Sequence, residues 1–215
     1  MLNFNNNGKL ASHKITRSTG YLTGKLLIAT PKITDVFFNK TVIFICYHDE
    51  SGAIGYIINK RLSDLNSLLN SKKYDLLKKE QQPINEYLQT TKLKGKNILF
   101  GGPLFSQRVF ILHTDINLAE NSMTYKESSL AICLNIHQLP ADLKKQHDLI
   151  IGLGFSSWSP NQLEYEIKQN DWVVVDADKN LIFEEDLNII WQKTAKNTGI
   201  DINRVRENYN SDYIN

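Results

Sequence analysis

Thr41-Val-Ile-Phe-Ile-Cys-Tyr-His48, then Asp49-Glu-Ser-Gly52, then Ala53-Ile-Gly-Tyr-Ile-Ile58 set the architecture of this chain. In the first run Val42, Phe44 and Cys46 alternate with Ile43, Ile45 and Tyr47. Both sets are apolar, and a strand apolar on both faces is buried on both faces. The central four residues have turn chemistry, and the last run returns as a second strand. The segment therefore predicts an antiparallel hairpin with a four-residue connection, placed deep in a sheet.

Working outward, Gly24-Lys-Leu-Leu-Ile-Ala29 reads as a strand stopped by Thr30-Pro31. Further strands are predicted at Asn97–Phe100, Val109–Thr114, Leu130–Leu134, Asp148–Phe155 and Asp171–Val175. A helix is predicted over Ser63–Asn70, with Leu65, Leu68 and Leu69 at helical spacing. A second opens with Ser159 as N-cap and Pro160 at the first helical position. A third runs over Glu184–Thr198, with Leu187, Ile190, Trp191 and Ala195 inward and Gly199 ending it. About eight strands and three or four helices form a single domain. Residues 1–20 read as a flexible arm, 21–203 as the domain and 204–215 as a frayed tail. Residues 71–95 read as a polar surface connection.

Composition narrows the function classes. The 215 residues carry 25 Lys and Arg against 23 Asp and Glu, a net charge of +2. That is no electrostatic footprint for nucleic acid, and 20 of the 25 cations are lysine rather than the arginine favoured for bidentate contacts. No apolar run reaches membrane-spanning length, and the N-terminus lacks the apolar core of a secretory signal. Cys46 and Cys133 sit inside apolar segments with no CxxC, as buried thiols of a reducing, cytoplasmic protein.

Motifs of chemistry are incomplete. Gly152-Leu-Gly154-Phe-Ser-Ser157-Trp158 follows a strand, but Ser157 stands where a dinucleotide-binding turn needs its third glycine. The glycines are instead expected to permit a sharp bend from strand to helix, with Trp158 packed over it. No GxSxG or GxxxxGK[ST] occurs. Gly101-Gly102-Pro103 either offers backbone N–H groups to an anion or, on the stronger reading, satisfies a strand end. His48 and His113 end strong strands and have acids close by; converging at one sheet edge, they would hold zinc or act as acid and base. Glu164 and Glu166 read as a solvated helix face. Trp158, Trp172 and Trp191 read as core residues with satisfied indoles.

In order, the landmarks Gly24-Lys-Leu-Leu-Ile-Ala-Thr-Pro31, His48, Gly52-Ala-Ile-Gly55, Asn59, Gly101-Gly-Pro103, Phe110-Ile-Leu-His113, Gly152-Leu-Gly-Phe-Ser-Ser-Trp158, Gln162-Leu-Glu164, Trp172 and Trp191 resemble the bacterial YqgE/AlgH family. The resemblance spans roughly residues 21–202. It implies an α+β domain whose bifurcated, mostly antiparallel sheet curls into a pseudo-barrel with helices outside. It implies no established catalytic residue, metal or cofactor, although members are labelled transcriptional regulators. Asn161 departs from the pattern, standing where the family usually has glycine.

The expected function is that of a non-enzymatic protein binding a small molecule or a protein partner, with no membrane role and any effect on transcription indirect. Candidate ligand-binding residues are His48, Asn59, Gly101, Gly102 and His113. One alternative is a metal-dependent or acid/base hydrolase built on His48 and His113. The other is a regulator that binds DNA directly, which the charge balance and the lack of a recognisable helix-turn-helix disfavour.

Overall fold

The computed structural model describes residues 20–65, 98–115, 122–135, 149–183 and 186–197. The expected arm (Gly20 apart), the connection 71–95 and the tail from 204 lie outside the described residues, as does the expected helix beyond Leu65. The strands are β1 (Lys25–Ala29), β2 (Val42–Asp49), β3 (Gly52–Ile57), β4 (Ile98–Phe100), β5 (Leu104–His113), β6 (Met123–Tyr125), β7 (Leu130–Cys133), β8 (Leu149–Trp158) and β9 (Trp172–Asp176). The helices are α1 (Leu62–Leu65), α2 (Gln162–Lys168), α3 (Lys179–Ile182) and α4 (Leu187–Asn197). One sheet runs β6-β7-β5-β8-β3-β2-β1-β9, with β4 lying beside β8. Every pairing is antiparallel except β4 with β8.

The sheet forks at β8. Residues Ile151–Leu153 pair with β4, and Ser156–Trp158 pair with β3. Gly101 stands in the fork: its N–H donates to the Leu153 carbonyl (2.7 Å) and its carbonyl accepts from Ile57 N–H (2.9 Å). A Cβ on Gly101 would lie 2.3 Å from the Gly154 carbonyl oxygen, so only glycine lets the strands approach this closely. Gly154 has φ +76°, and the β5–β8 register slips beside it. It faces an irregularity in which β5 carries the extra residues, and past it the alternation of β8 changes face, from Leu153 in one core layer to Phe155 in the other. Gly152 and Gly154 thus lie inside a strand that continues to Trp158. The expected strand-to-helix bend at these glycines is corrected by that continuation.

The sheet also curls. Tyr125 on β6 packs edge-on against Phe44 on β2, with ring centroids 4.9 Å apart, and its hydroxyl donates to the Cys46 carbonyl at 2.9 Å. β6 and β2 are five places apart in strand order, so only a curled sheet brings them together. Tyr56 and Phe110 stack at 4.3 Å within the same inner layer. α4 seals this layer with Leu187, Ile190, Trp191 and Ala195, while Trp191 Nε1 donates to the Ala29 carbonyl at 2.8 Å. The outer layer, with Ile43, Ile45 and Leu153, is covered by Leu163 of α2 and by Trp158 and Trp172. The fold is a single α+β domain with a curled, mostly antiparallel sheet and helices outside it.

Local details differ from the sequence reading for identifiable reasons. The hairpin connection is two residues, Glu50 and Ser51, because Asp49 pairs directly with Gly52 and its carboxylate accepts from Ser51 N–H (2.8 Å). A bulge between Ile45 and Tyr47 breaks the alternation, so Tyr47 packs with the inner layer beside Phe44 and Cys46. α2 begins after Asn161, whose left-handed backbone (φ 62°) replaces the expected Ser159 cap. Left-handed geometry is the physical reason glycine suits this position, and asparagine tolerates it better than most residues. α4 starts at Leu187, where the Asp186 carboxylate accepts from Asn188 N–H at 3.0 Å.

Candidate functional site

The β2 bulge turns His48 toward α2. Its Nδ1 accepts from Leu22 N–H (3.0 Å) and its Nε2 lies 2.9 Å from Glu164 Oε1. An imidazole that accepts at Nδ1 carries its proton on Nε2, so the carboxylate receives that hydrogen bond. The Tyr21 ring meets His48 edge-on at 5.1 Å, and the side chain is buried. His48 thus ties the segment before β1 and helix α2 to the sheet.

His113 lies elsewhere. It pairs with Leu149, the first residue of β8, whereas His48 pairs with Ala53, which pairs with Trp158, the last. Nine residues of extended strand separate the two rows, roughly 30 Å along β8. The expected convergence of the two histidines is corrected by this register. His113 is fully buried, with Nε2 3.0 Å from Ser122 Oγ and no partner for Nδ1 among the described residues. Burial lowers its pKa, and burial raises that of the neighbouring Cys133 thiol. Both groups are driven toward their neutral forms, the opposite of a thiolate–imidazolium pair. Among the described residues no group of three or more His, Cys, Asp or Glu is placed to hold a metal.

Gly101 spends its backbone groups inside the sheet, and a Cβ on Gly102 would lie 2.2 Å from the Phe155 carbonyl carbon. Glu164 and Glu166 are not a solvated face. Glu166 Oε2 accepts from both Trp158 Nε1 (2.8 Å) and Trp172 Nε1 (2.7 Å), while Oε1 accepts from Gln162 Nε2 (2.8 Å). All three tryptophans are buried with their indoles hydrogen-bonded, as the sequence reading expects.

Asn59 borders a cleft. This cleft, about 320 Å³, opens between the chain entering β2, the chain leaving β3 and helix α4. Its wall includes Lys40, Lys60, Arg61, Asn188 and Trp191. Asn59 Oδ1 accepts from Val42 N–H (2.8 Å) and Nδ2 donates to the Lys40 carbonyl (2.9 Å). Both ends of the amide are therefore used, and Asn59 shapes the rim rather than presenting itself to a ligand. Lys40 is held with φ 53°, a conformation that costs a side-chain-bearing residue about 1–2 kcal/mol. Its ammonium lies 6.0 Å from the centroid of the Trp191 ring. Sequence reading missed Lys40, Lys60 and Arg61, since cations dispersed in sequence gather here only through the hairpin.

A forked, curled sheet closed by an amphipathic helix, with a cleft at one rim, defines the class: a single-domain α+β protein with a mostly antiparallel sheet. The AlgH-like family model (DUF179) matches residues 26–203, and the chain belongs to that family. It is 37% identical over 184 residues to a UPF0301 protein of Shewanella sp. (strain ANA-3), covering 84% of this chain and 92% of the relative. It is 33% identical over 179 residues to the UPF0301 protein YqgE of Escherichia coli (strain SMS-3-5 / SECEC), covering 82% and 91%. The solution structure of AlgH from Pseudomonas aeruginosa superposes with a TM-score of 0.63 at 25% identity, over 88% of this chain and 95% of that one. The crystal structure of DIP2367 from Corynebacterium diphtheriae gives 0.64 at 20% identity over 85% and 90%, a likeness of fold. No described helix is long and apolar enough to cross a membrane.

Proposed function

We propose that this protein is a cytoplasmic, non-enzymatic binder of a small molecule, seated in the Asn59-rimmed cleft. Any influence on transcription, the label its family carries, is then indirect and follows occupancy of that cleft. The observation that carries this reading is the cleft itself. Its volume lies at the lower end of the range of small-molecule pockets, and it combines an apolar wall with several convergent polar groups. Two features support binding over turnover. His48 and His113 stand at opposite ends of β8, and the Gly101 N–H is committed to the Leu153 carbonyl.

The test is a screen of a mixed library of neutral, cationic and anionic metabolites, read on the three indole N–H resonances of the ¹⁵N-labelled full chain. A ligand of the cleft moves the Trp191 resonance and leaves those of Trp158 and Trp172 in place. Asn188→Trp, at an exposed position of α4 on the cleft wall, should abolish the response without lowering the melting temperature. A screen in which no compound moves Trp191, or an unchanged response in Asn188→Trp, overturns the reading.

A further inference from the structure

We infer that the cleft takes a small phosphorylated organic anion, a phosphomonoester on a polar body; this rests on the binding role proposed above. Three cationic side chains, Lys40, Lys60 and Arg61, line it against one carboxylate, Asp64. The surplus of two positive charges matches a phosphomonoester dianion, whose second pKa is about 6.

The cations differ in how they are held, and the differences favour an anion. Lys60 Nζ donates to the Val36 carbonyl at 2.9 Å, a neutral acceptor. Its burial lowers its pKa, while Asp35 acts in the opposite sense. The Asp35 carboxylate lies outside the cleft lining, with Oδ1 accepting from Phe37 N–H (2.8 Å) and Phe38 N–H (3.2 Å). Arg61 lies 3.8 Å from Asp64, a loose pair that leaves guanidinium donors for a phosphoryl oxygen. Lys40 has a left-handed backbone whose carbonyl accepts from the Asn59 amide, and its ammonium stands over the Trp191 ring.

The rest of the wall sets the body of the ligand. The side-chain amides of Asn39, Asn188 and Gln192 can each donate and accept, a combination suited to hydroxyl groups. Trp191 supplies an apolar floor while its N–H is spent on Ala29. A sugar phosphate has this mixture of charge, hydroxyls and size.

The experiment titrates the ¹⁵N-labelled full chain with ribose 5-phosphate, ribose and inorganic phosphate at constant ionic strength. Ribose 5-phosphate should move the Trp191 indole resonance saturably, leaving Trp158 and Trp172 unmoved. Ribose should do nothing at the same concentration, and inorganic phosphate should compete weakly. Lys60→Met and Arg61→Gln should each weaken the affinity at least tenfold, with melting temperatures and the other two indole resonances as controls of folding. An equal response to ribose, or affinity unchanged in both variants, overturns the inference. A mixed-library screen that moves Trp191 only with uncharged compounds overturns the ligand class and leaves the binding role standing. Silence from every compound removes both.

Discussion

His48 and Glu164 meet side chain to side chain at 2.9 Å, across 116 positions of sequence. The contact joins the hairpin to α2, and the other ring nitrogen ties in Leu22. Replacing His48 with Ala leaves the half-buried Leu22 N–H without its acceptor, a loss of about 1 kcal/mol. Glu164→Gln keeps an oxygen able to accept from Nε2 and should cost less. Urea unfolding at pH 7 should therefore rank wild type above Glu164→Gln above His48→Ala. Equal midpoints for His48→Ala and wild type would show that the histidine does not anchor the segment before β1.

Glu166 gathers two indoles from different strands on one carboxylate oxygen. Glu166→Ala orphans the N–H groups of both Trp158 and Trp172, which are buried 6.1 Å apart. At about 1–3 kcal/mol for each buried donor, the variant should lose several kcal/mol in chemical denaturation. Its two indole proton resonances should move upfield, while that of Trp191, bonded to Ala29, stays fixed. An unaltered spectrum would remove the shared acceptor from the account.

The hairpin and most of the strands were legible because their cause is local. Two apolar alternations, turn residues and β-branched runs lie within a few positions of one another. What was not legible comes from contacts between distant segments. The bulge at Ile45–Tyr47 turns His48 away from the inner layer, and nothing in TVIFICYH announces it. The glycines of GLGFSSW look like a bend after a strand, yet they are shaped by Phe110 and Gly102 pressing against a strand that continues. β6 and α3 are short and owe their existence to the curl and to the Asp178 cap, whose carboxylate accepts from Asn180 N–H. Of the candidate site, Asn59 alone was legible as a residue. The cations around it assemble only when Lys40 and Lys60 are brought to the same end of the β2–β3 hairpin.

Gly101 and Gly154 interlock at the fork, so an added methyl on either meets backbone rather than a movable side chain. A Cβ on Gly154 would lie 2.3 Å from the Gly102 carbonyl oxygen, in a backbone conformation that side chains resist. Gly154→Ala should destabilise the fold by about 3 kcal/mol or more, since overpacking and backbone strain act together, and Gly101→Ala by about 1–3 kcal/mol through overpacking alone. Thermal unfolding by circular dichroism measures this. A shift of only a degree or two in both variants would refute the close approach.

Asn161 at φ 62° makes the opposite case. Asn161→Gly removes left-handed strain and should be neutral or slightly stabilising. Asn161→Ala loses the tolerance that asparagine has for this region and should cost about 1 kcal/mol. The difference between the two variants in urea midpoint is the measurement. An alanine variant as stable as the glycine variant contradicts the left-handed start of α2.

His113 provides a pH dependence whose sign is fixed by burial. Its folded-state pKa is lowered from the ordinary value of 6.5, chiefly by desolvation, with Asp115 opposing. Below pH 6.5 the unfolded chain therefore binds a proton that the folded ring resists. The contribution of neutral His113 to stability is complete above that pH and declines as the pH falls toward the lowered folded value. Carboxylates with lowered pKa values, such as Asp49, act in the same direction at lower pH. His113→Gln cannot take up the proton in either state. Its stability, measured from pH 7.5 down to 5.5, should fall less steeply than that of wild type, even if it starts lower. Parallel slopes over that interval would mean that His113 titrates alike in the folded and unfolded chains, and the buried, neutral ring assigned to β5 would have to be abandoned.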